Sequence, residues 1–438
     1  MTTLSEKQAD RRRATEKQGS AAGRLGRKIG LGLLAVFGAL VAVLAMVPVL
    51  LLPVATAVPV VVFILLLAVD GALLVALFAW AKTVVTKAAA VGGIIAVGAL
   101  AVLLSQWYAT TPAIVGADGE PLPNSIAVME PVELGGRTQW ITIRGEDQDN
   151  PVLLFFAGGP GGSQLAATRK HLGALEKDFV VVNWDQPGVG KSYHALDFET
   201  ATPEQYVRDA HELTLYLQER FGKEKIYLLG ESWGNILGVW LVQRYPEDYH
   251  ALVGAAQMVA FLETDTYNYE LAMEIARERG DTAKVEALER QGPPPYHGEG
   301  TSWKVAEYVM YLSSYMAQNP EMAGPGYDTI GDIAAVEYGL YDKVNYVRGL
   351  LDTMDHTYPQ LWGVDFREQA TELDVPVYFI EGRLDVNAPP HLVEEYMQVL
   401  DAPHKEIIWF EHSGHSPWID ESGKLYDVMV NKVLPETS

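Results

Sequence analysis

Three short stretches carry the residue types needed for acyl transfer. Ser232 stands in Gly230-Glu231-Ser232-Trp233-Gly234, Asp385 in Glu381-Gly382-Arg383-Leu384-Asp385, and His415 in His412-Ser413-Gly414-His415-Ser416-Pro417. A serine hydroxyl is a poor nucleophile until a base takes its proton, and the base needs a carboxylate to orient it. Serine, acid, histidine is one of the chain orders in which such triads occur. Taken alone, Asp385 reads equally as a turn aspartate before Pro389, and His412 is a rival base. The glycine and proline flanking His415 favour it, and the order of all three favours a Ser232–His415–Asp385 triad. A fourth stretch, Gly158-Gly159-Pro160-Gly161-Gly162, lets the backbone approach a substrate. The oxyanion of an acyl-transfer transition state needs backbone N–H donors, and Gly159 and Trp233 are the expected pair. No Gly-Lys-Ser/Thr follows Gly162, which argues against a phosphate-binding loop.

The elements around these residues read as alternating strands and helices. Apolar runs at Ser125–Glu133, Thr138–Arg144, Val152–Ala157, Phe179–Trp184, Lys225–Leu229, Ala251–Val259, Val375–Ile380 and Glu406–Phe410 are strand candidates. Several are nearly continuous in Val, Ile, Leu and Phe, as a strand buried on both faces of a parallel sheet must be. Helix patterns cover Gln164–Leu175, Pro203–Phe221, Asn235–Tyr245, His391–Leu400 and Trp418–Val433, and Pro203 after Thr202 is a good helix start. The alternation predicts an α/β domain with right-handed crossovers. Ser232 then sits on a strand–turn–helix elbow, and Asp385 and His415 follow strands at the carboxyl edge of the sheet, where such sheets place their ligands. From Phe261 to about Asp374 no strand is convincing, so a helical block is inserted between the sixth and seventh strands.

The four motifs, with Asp185-Gln186-Pro187-Gly188-Val189-Gly190-Lys191-Ser192, resemble the proline iminopeptidases and the related tricorn-interacting aminopeptidases among the α/β hydrolases. The resemblance runs from about Ser125 to Val433. It implies Ser232 as nucleophile, His415 as base, Asp385 as its orienter, the helical insert as a cap, and no metal or other cofactor. It also implies release of amino-terminal residues, often proline, from small peptides. Family specificity rests on acidic cap residues that hold the substrate's free amine, for which Glu263, Asp265 and Glu270 are candidates here. The chain departs from the family pattern in having Ala157 where a histidine usually precedes the glycine loop, and Pro187 where an arginine usually follows Asp-Gln. Glu231, beside the nucleophile, reads either as a group that recognises a substrate terminus or as a buried, hydrogen-bonded structural carboxylate. An esterase or lipase acting on small or lipid esters is the rival within the fold. A catalytically idle membrane scaffold is the rival outside it.

Composition separates the chain into unlike parts. Of 438 residues, the first 104 hold 10 of the 33 basic and 4 of the 56 acidic residues, leaving 23 basic and 52 acidic residues for the rest. Such an acidic domain repels nucleic acid, so no nucleic-acid partner is expected. With no cysteine, disulfides and thiolate metal sites are excluded. Ile29–Leu52, Val58–Ala81 and Ala88–Leu104 each have about the 17–25 apolar residues that a bilayer core requires. Arg11, Arg12, Arg13, Lys17, Arg24, Arg27 and Lys28 precede the first span, which predicts a cytoplasmic amino terminus, lipid contact through three helices, and an extracytoplasmic domain anchored by Trp107 and Tyr108. Asp70, mid-span, is either a functional carboxyl or a helix-packing one. The expected organisation is a basic tail (1–28), a membrane region (29–104), a linker (105–124), the two parts of an α/β-hydrolase core (125–260 and 375–438) and a helical cap (261–374).

Overall fold

A computed structural model describes Ile29, Leu33 and residues 36–437, and the chain divides into two compact units at Tyr108 and Ala109. The basic segment that sets the expected orientation lies outside the described residues. In the first unit, α1 (Val36–Ala55), α2 (Val60–Val75, continued as one π-helical turn to Trp80) and α3 (Val84–Tyr108) are each long and apolar enough to cross a membrane. The third begins earlier than its apolar count indicates, because Val84 to Lys87 already wind helically. Small residues let the helices approach: a Cβ on Gly98 would run into the Ala45 carbonyl, and one on Gly93 would meet the Leu73 side chain at 3.0 Å. Asp70 is enclosed by this packing and does not face outward.

The second unit is built on one eight-stranded sheet. Its strands are β1 (Ile126–Leu134), β2 (Arg137–Gly145), β3 (Val152–Phe156), β4 (Val180–Asp185), β5 (Ile226–Glu231), β6 (Tyr249–Ala255), β7 (Val377–Gly382) and β8 (Lys405–Phe410), in spatial order 1-2-4-3-5-6-7-8. β1 and β2 pair antiparallel, β2 also runs antiparallel to β4, and every other pairing is parallel. Pro131 is tolerated in β1 because that strand is an edge. All residues of β3, β4 and β5 are buried, and their side chains alternate between two cores: Leu154, Phe156 and Val182 on one face, Leu153, Phe155 and Val181 on the other. A one-residue slip would exchange the faces, so the pattern fixes the register.

Crossover helices close both faces. They are α4 (Leu165–His171), α5 (Pro203–Phe221) and α6 (Trp233–Arg244). Local chemistry sets their ends: the Thr202 side chain accepts the Gln205 N–H, Pro203 occupies the first turn, and Gly222 ends α5 in the left-handed region. Between β6 and β7 the chain forms α7 (Phe261–Glu278), α8 (Thr282–Gln291), α9 (Thr301–Met316), α10 (Thr329–Ile333), α11 (Leu340–His356) and α12 (Phe366–Gln369). After β7 come α13 (Pro390–Val399), α14 (Pro417–Asp420) and α15 (Ser422–Val428). The run Trp418–Val433 is therefore not one helix. It breaks at Glu421 and ends in a π-helical turn.

The insert is fastened to the core through α11. Its Gly349 lies so close to the Gly188–Val189 backbone that a Cβ there would stand 2.8 Å from the Val189 Cα. Thr353, one turn on, donates to the Gly188 carbonyl at 3.3 Å, and Lys191 pairs with Asp342 at 2.8 Å in a nearly buried bridge. Gly349→Val is expected to lose about 1–3 kcal/mol by overpacking this contact. Thermal denaturation checks it: the melting temperature falls by several degrees, while Gly173→Val, where a Cβ meets nothing within 4 Å, changes little.

Candidate active site

Ser232 is the residue between β5 and α6, with φ 53° and ψ −115°, a conformation that costs on the order of 1–3 kcal/mol for a non-glycine residue. The surroundings impose it. The Ser232 N–H donates to the Ala255 carbonyl at 3.1 Å, its carbonyl accepts from the Asn235 N–H at 3.0 Å, and the Asn235 side-chain amide donates to Ala255 at 2.6 Å. Both flanking glycines are required by close approach. A Cβ on Gly230 would lie 2.5 Å from the Asn235 Oδ1, and one on Gly234 would strike the Phe156 carbonyl. The result is a partly exposed serine on a rigid turn at the carboxyl edge of the sheet.

Asp385 and His415 meet above that edge. His415 Nδ1 lies 2.9 Å from Asp385 Oδ2, while Asp385 Oδ1 accepts the N–H groups of Asn387 at 2.7 Å and Ala388 at 3.1 Å. The carboxylate is buried and fixed at both oxygens. With Nδ1–H turned to it, the neutral imidazole presents Nε2 as its free lone pair. Burial works against the charged imidazolium, but Asp385, by charge and by hydrogen bond, and then Glu231 outweigh it and raise the His415 pKa above its ordinary value. His412 is exposed and turned to the Glu321 carbonyl, 3.2 Å from its Nδ1, so it takes no part in this pair.

The glycine loop flanks the serine. A Cβ on Gly158 would come within 3.6 Å of the Ser232 Cβ, and Gly159 adopts φ 140°. Trp233 is the first residue of α6, and the first N–H groups of a helix have no partner within it. Gln186 ties the two candidate donors together: its amide donates to the Ala157 carbonyl at 3.1 Å, and its carbonyl accepts the Trp233 indole N–H at 2.9 Å. Asp185 receives the Lys191 N–H at 2.6 Å and the Tyr338 hydroxyl at 3.1 Å, and burial pushes it up to about 7. The Asp185–Ser192 stretch thus braces the site.

Glu231 is buried and fully engaged. Its Oε1 accepts from the Ser416 hydroxyl at 2.7 Å and its Oε2 from the Gln164 side-chain amide. It clasps the residue after His415 to the residue that opens α4. The acidic cap candidates are scattered. Asp265 is buried, holds the Tyr308 hydroxyl at 2.6 Å and the Tyr358 hydroxyl at 2.9 Å, and is raised by burial to about 7. Glu263 is exposed and paired with Arg367 at 2.5 Å, and Glu270 is exposed. Glu263 and Glu270 line a groove of 580 Å³ whose walls include none of Ser232, Asp385 and His415. The cap side chains at the histidine loop are instead Met316 and Met322, whose sulfurs would lie 3.2 and 3.5 Å from a Cβ on Gly414.

An eight-stranded sheet of this order, with a strained serine on a β–α elbow after β5 and an Asp–His pair on the loops after β7 and β8, decides the fold. This domain has the α/β-hydrolase fold. A family profile for serine aminopeptidase, S33, matches residues 170–292 of the chain. A probable aminopeptidase, YbaC, of Bacillus subtilis (strain 168) is 29% identical over 309 residues, which span 69% of this chain and 94% of that protein. A proline iminopeptidase of Lactobacillus delbrueckii subsp. lactis is 23% identical over 306 residues, 69% of this chain and 96% of that protein. Among solved structures, that of VinJ superposes with a TM-score of 0.51 at 20% identity, over 70% of this chain and 98% of that one. The matched length corresponds to the hydrolase domain. Glu231→Ala in this hydrolase strands the Gln164 amide and the Ser416 hydroxyl, with an expected cost of about 1–3 kcal/mol in chemical denaturation. A raised KM with unchanged stability would instead give Glu231 a substrate-binding role.

Proposed function

We propose that the protein is a membrane-anchored serine hydrolase that releases amino-terminal residues from small peptides. The observation that carries the chemistry is the 2.9 Å His415–Asp385 contact, on a loop whose Ser416 is bonded to Glu231, the residue before the elbow serine. Ser232 Oγ attacks a carbonyl carbon while His415 Nε2 takes its proton. The oxyanion is held by the Gly159 and Trp233 N–H groups, and His415 returns the proton to the leaving amine. Water then attacks the acyl carbon and loses a proton to His415, which passes it to Ser232 Oγ as the bond to the acid breaks. Asp385 keeps the Nδ1–H tautomer and stabilises the imidazolium. Of the acidic candidates for holding the substrate amine, Asp265 is buried and taken by two tyrosine hydroxyls, which leaves Glu263 and Glu270. The three apolar helices tether the domain to the bilayer, with the amino terminus inside and the hydrolase outside. The aminopeptidase relatives support the substrate class.

A second reading is an esterase of the same mechanism, favoured by one observation: the cap side chains at the His415 loop are the apolar Met316 and Met322. Detergent-purified protein and Ser232→Ala, assayed on amino-acid arylamides (proline included), their N-acylated forms and short-chain nitrophenyl esters, separate the two. Cleavage confined to free-amine arylamides and lost by at least about 10³-fold in Ser232→Ala is the expected result. Cleavage of esters alone selects the second reading, and Ser232-independent turnover overturns both.

His415 must be neutral to act as base, and its pKa is raised, so activity is lost as pH falls through a value above the ordinary ~6.5. The acid limb of kcat/KM is therefore expected above pH ~6.5. Asp385→Asn is expected to move that limb down and to lower kcat on the order of 10⁴-fold, because the imidazole loses both its tautomer and its counter-charge.

A further inference from the structure

The outer face of α11 is apolar where a solvated helix carries charge. Its inner face, with Asn345, Tyr346, Gly349 and Thr353, is packed on the domain. Val344 and Val347, on the opposite side, are 55% and 47% exposed, and Ile330 in the neighbouring α10 is 76% exposed. The two helices are joined where Lys343 of α11 donates to the carbonyl of Ile333, the last residue of α10, at 2.7 Å and to that of Ala335 just past it at 2.6 Å. The carboxylates of α11 are turned inward: Asp342 onto Lys191, Asp352 onto the Tyr193 hydroxyl, and Asp355 onto the N–H groups of Gly300 and Ser302. On a domain with 52 acidic and 23 basic residues, an exposed helix face without a carboxylate is a distinctive patch.

The chain itself indicates what covers this face. The third apolar helix ends at Tyr108, after Trp107, an aromatic pair of the kind that sits at a membrane interface. Two residues later the Thr110 N–H donates to the Val336 carbonyl, in the segment between α10 and α11. Arg144 then grips the Thr111 hydroxyl at 2.7 Å and the Pro112 carbonyl at 2.5 Å. Two residues span at most about 7 Å, comparable to the depth of the headgroup layer on one side of a bilayer. Only Ala109 thus separates the end of the third apolar helix from a residue bonded to the segment that leads into α11. A surface rich in carboxylates is repelled by anionic headgroups, whereas aliphatic side chains with a neighbouring arginine, here Arg348, partition into the interfacial layer.

We propose that the outer face of α11, with Ile330, docks on the lipid bilayer crossed by the chain's own helices and holds the cap at the membrane surface. The inference rests on the membrane-spanning part of the proposed function and not on its substrate. Docking would present the active-site cap to substrates that concentrate at lipid interfaces.

The absence of cysteine permits a direct test on the full chain. Single variants Ile330→Cys, Val344→Cys and Val347→Cys, labelled with an environment-sensitive fluorophore, are reconstituted in phosphatidylcholine nanodiscs with and without lipids spin-labelled at the headgroup or shallow acyl chain. Val69→Cys, on an exposed side of α2, reports the span, and Val399→Cys, at the end of α13, reports a water-exposed apolar site of similar exposure. The expected result is quenching of about twofold or more at 330, 344 and 347, and none at 399. Quenching at 69 with 344 and 347 behaving like 399 overturns docking and leaves the spans standing. No quenching at 69 overturns both. Disulfide-linked dimers through Val347→Cys without lipid quenching would assign the face to a second copy of the chain and overturn the proposal.

Discussion

The arrangement of the site depends on one buried carboxylate. Glu231 ends β5 immediately before the elbow serine, and burying it unpartnered would cost several kcal/mol. It is satisfied by Gln164 from the start of α4 and Ser416 from the histidine loop. Three segments far apart in sequence are therefore drawn to one point: the nucleophile strand, the helix that follows the glycine loop, and the loop that carries His415. The two hydrogen bonds act where the chemistry needs tenths of an ångström, since a misplacement of about 1 Å in such a constellation costs on the order of 10²-fold in rate.

Around that point a second layer works by exclusion. Glycines at 230 and 234 remove every atom that would separate α6 from the sheet, and Gln186 spans the gap between the base of the glycine loop and the Trp233 indole. The backbone strain at Ser232 persists because Ala255 and Asn235 hold both of its peptide groups. The cap is fastened by the same logic. Its buried tyrosines help to satisfy carboxylates in a dry interior: Tyr308 and Tyr358 bond Asp265, and Tyr338 joins the Lys191 N–H on Asp185.

The sheet was legible in the sequence because both of its faces are buried. A strand such as Val152-Leu153-Leu154-Phe155-Phe156 leaves no polar position and so has no competing reading. The Asp385–His415 pair was legible because strand ends fix where loops must lie. The cap was not. Glu263, Asp265 and Glu270 share a helix and a residue class, yet one is surface-paired, one buried under two tyrosines and one solvated, and helical spacing alone cannot say which face is covered. Gln186 also escaped a role, since a lone amide has no signature until its partners, Ala157 and Trp233, are brought together by the fold. To the two-sided reading of Glu231 the fold adds its partners, Gln164 and Ser416, which the sequence could not pair with it.

The contact between Gly349 and the Gly188–Val189 backbone limits how the cap can move. Main chain resting on main chain leaves no side chain to rotate aside, so that border of the cap cannot swing as a hinged lid. Elsewhere in the insert, α9 ends at Met316, which with Met322 lies against Gly414 of the histidine loop. Thioether side chains are the most adaptable wall material a protein has. The cap thus joins a border locked main chain to main chain with a border whose side chains can repack.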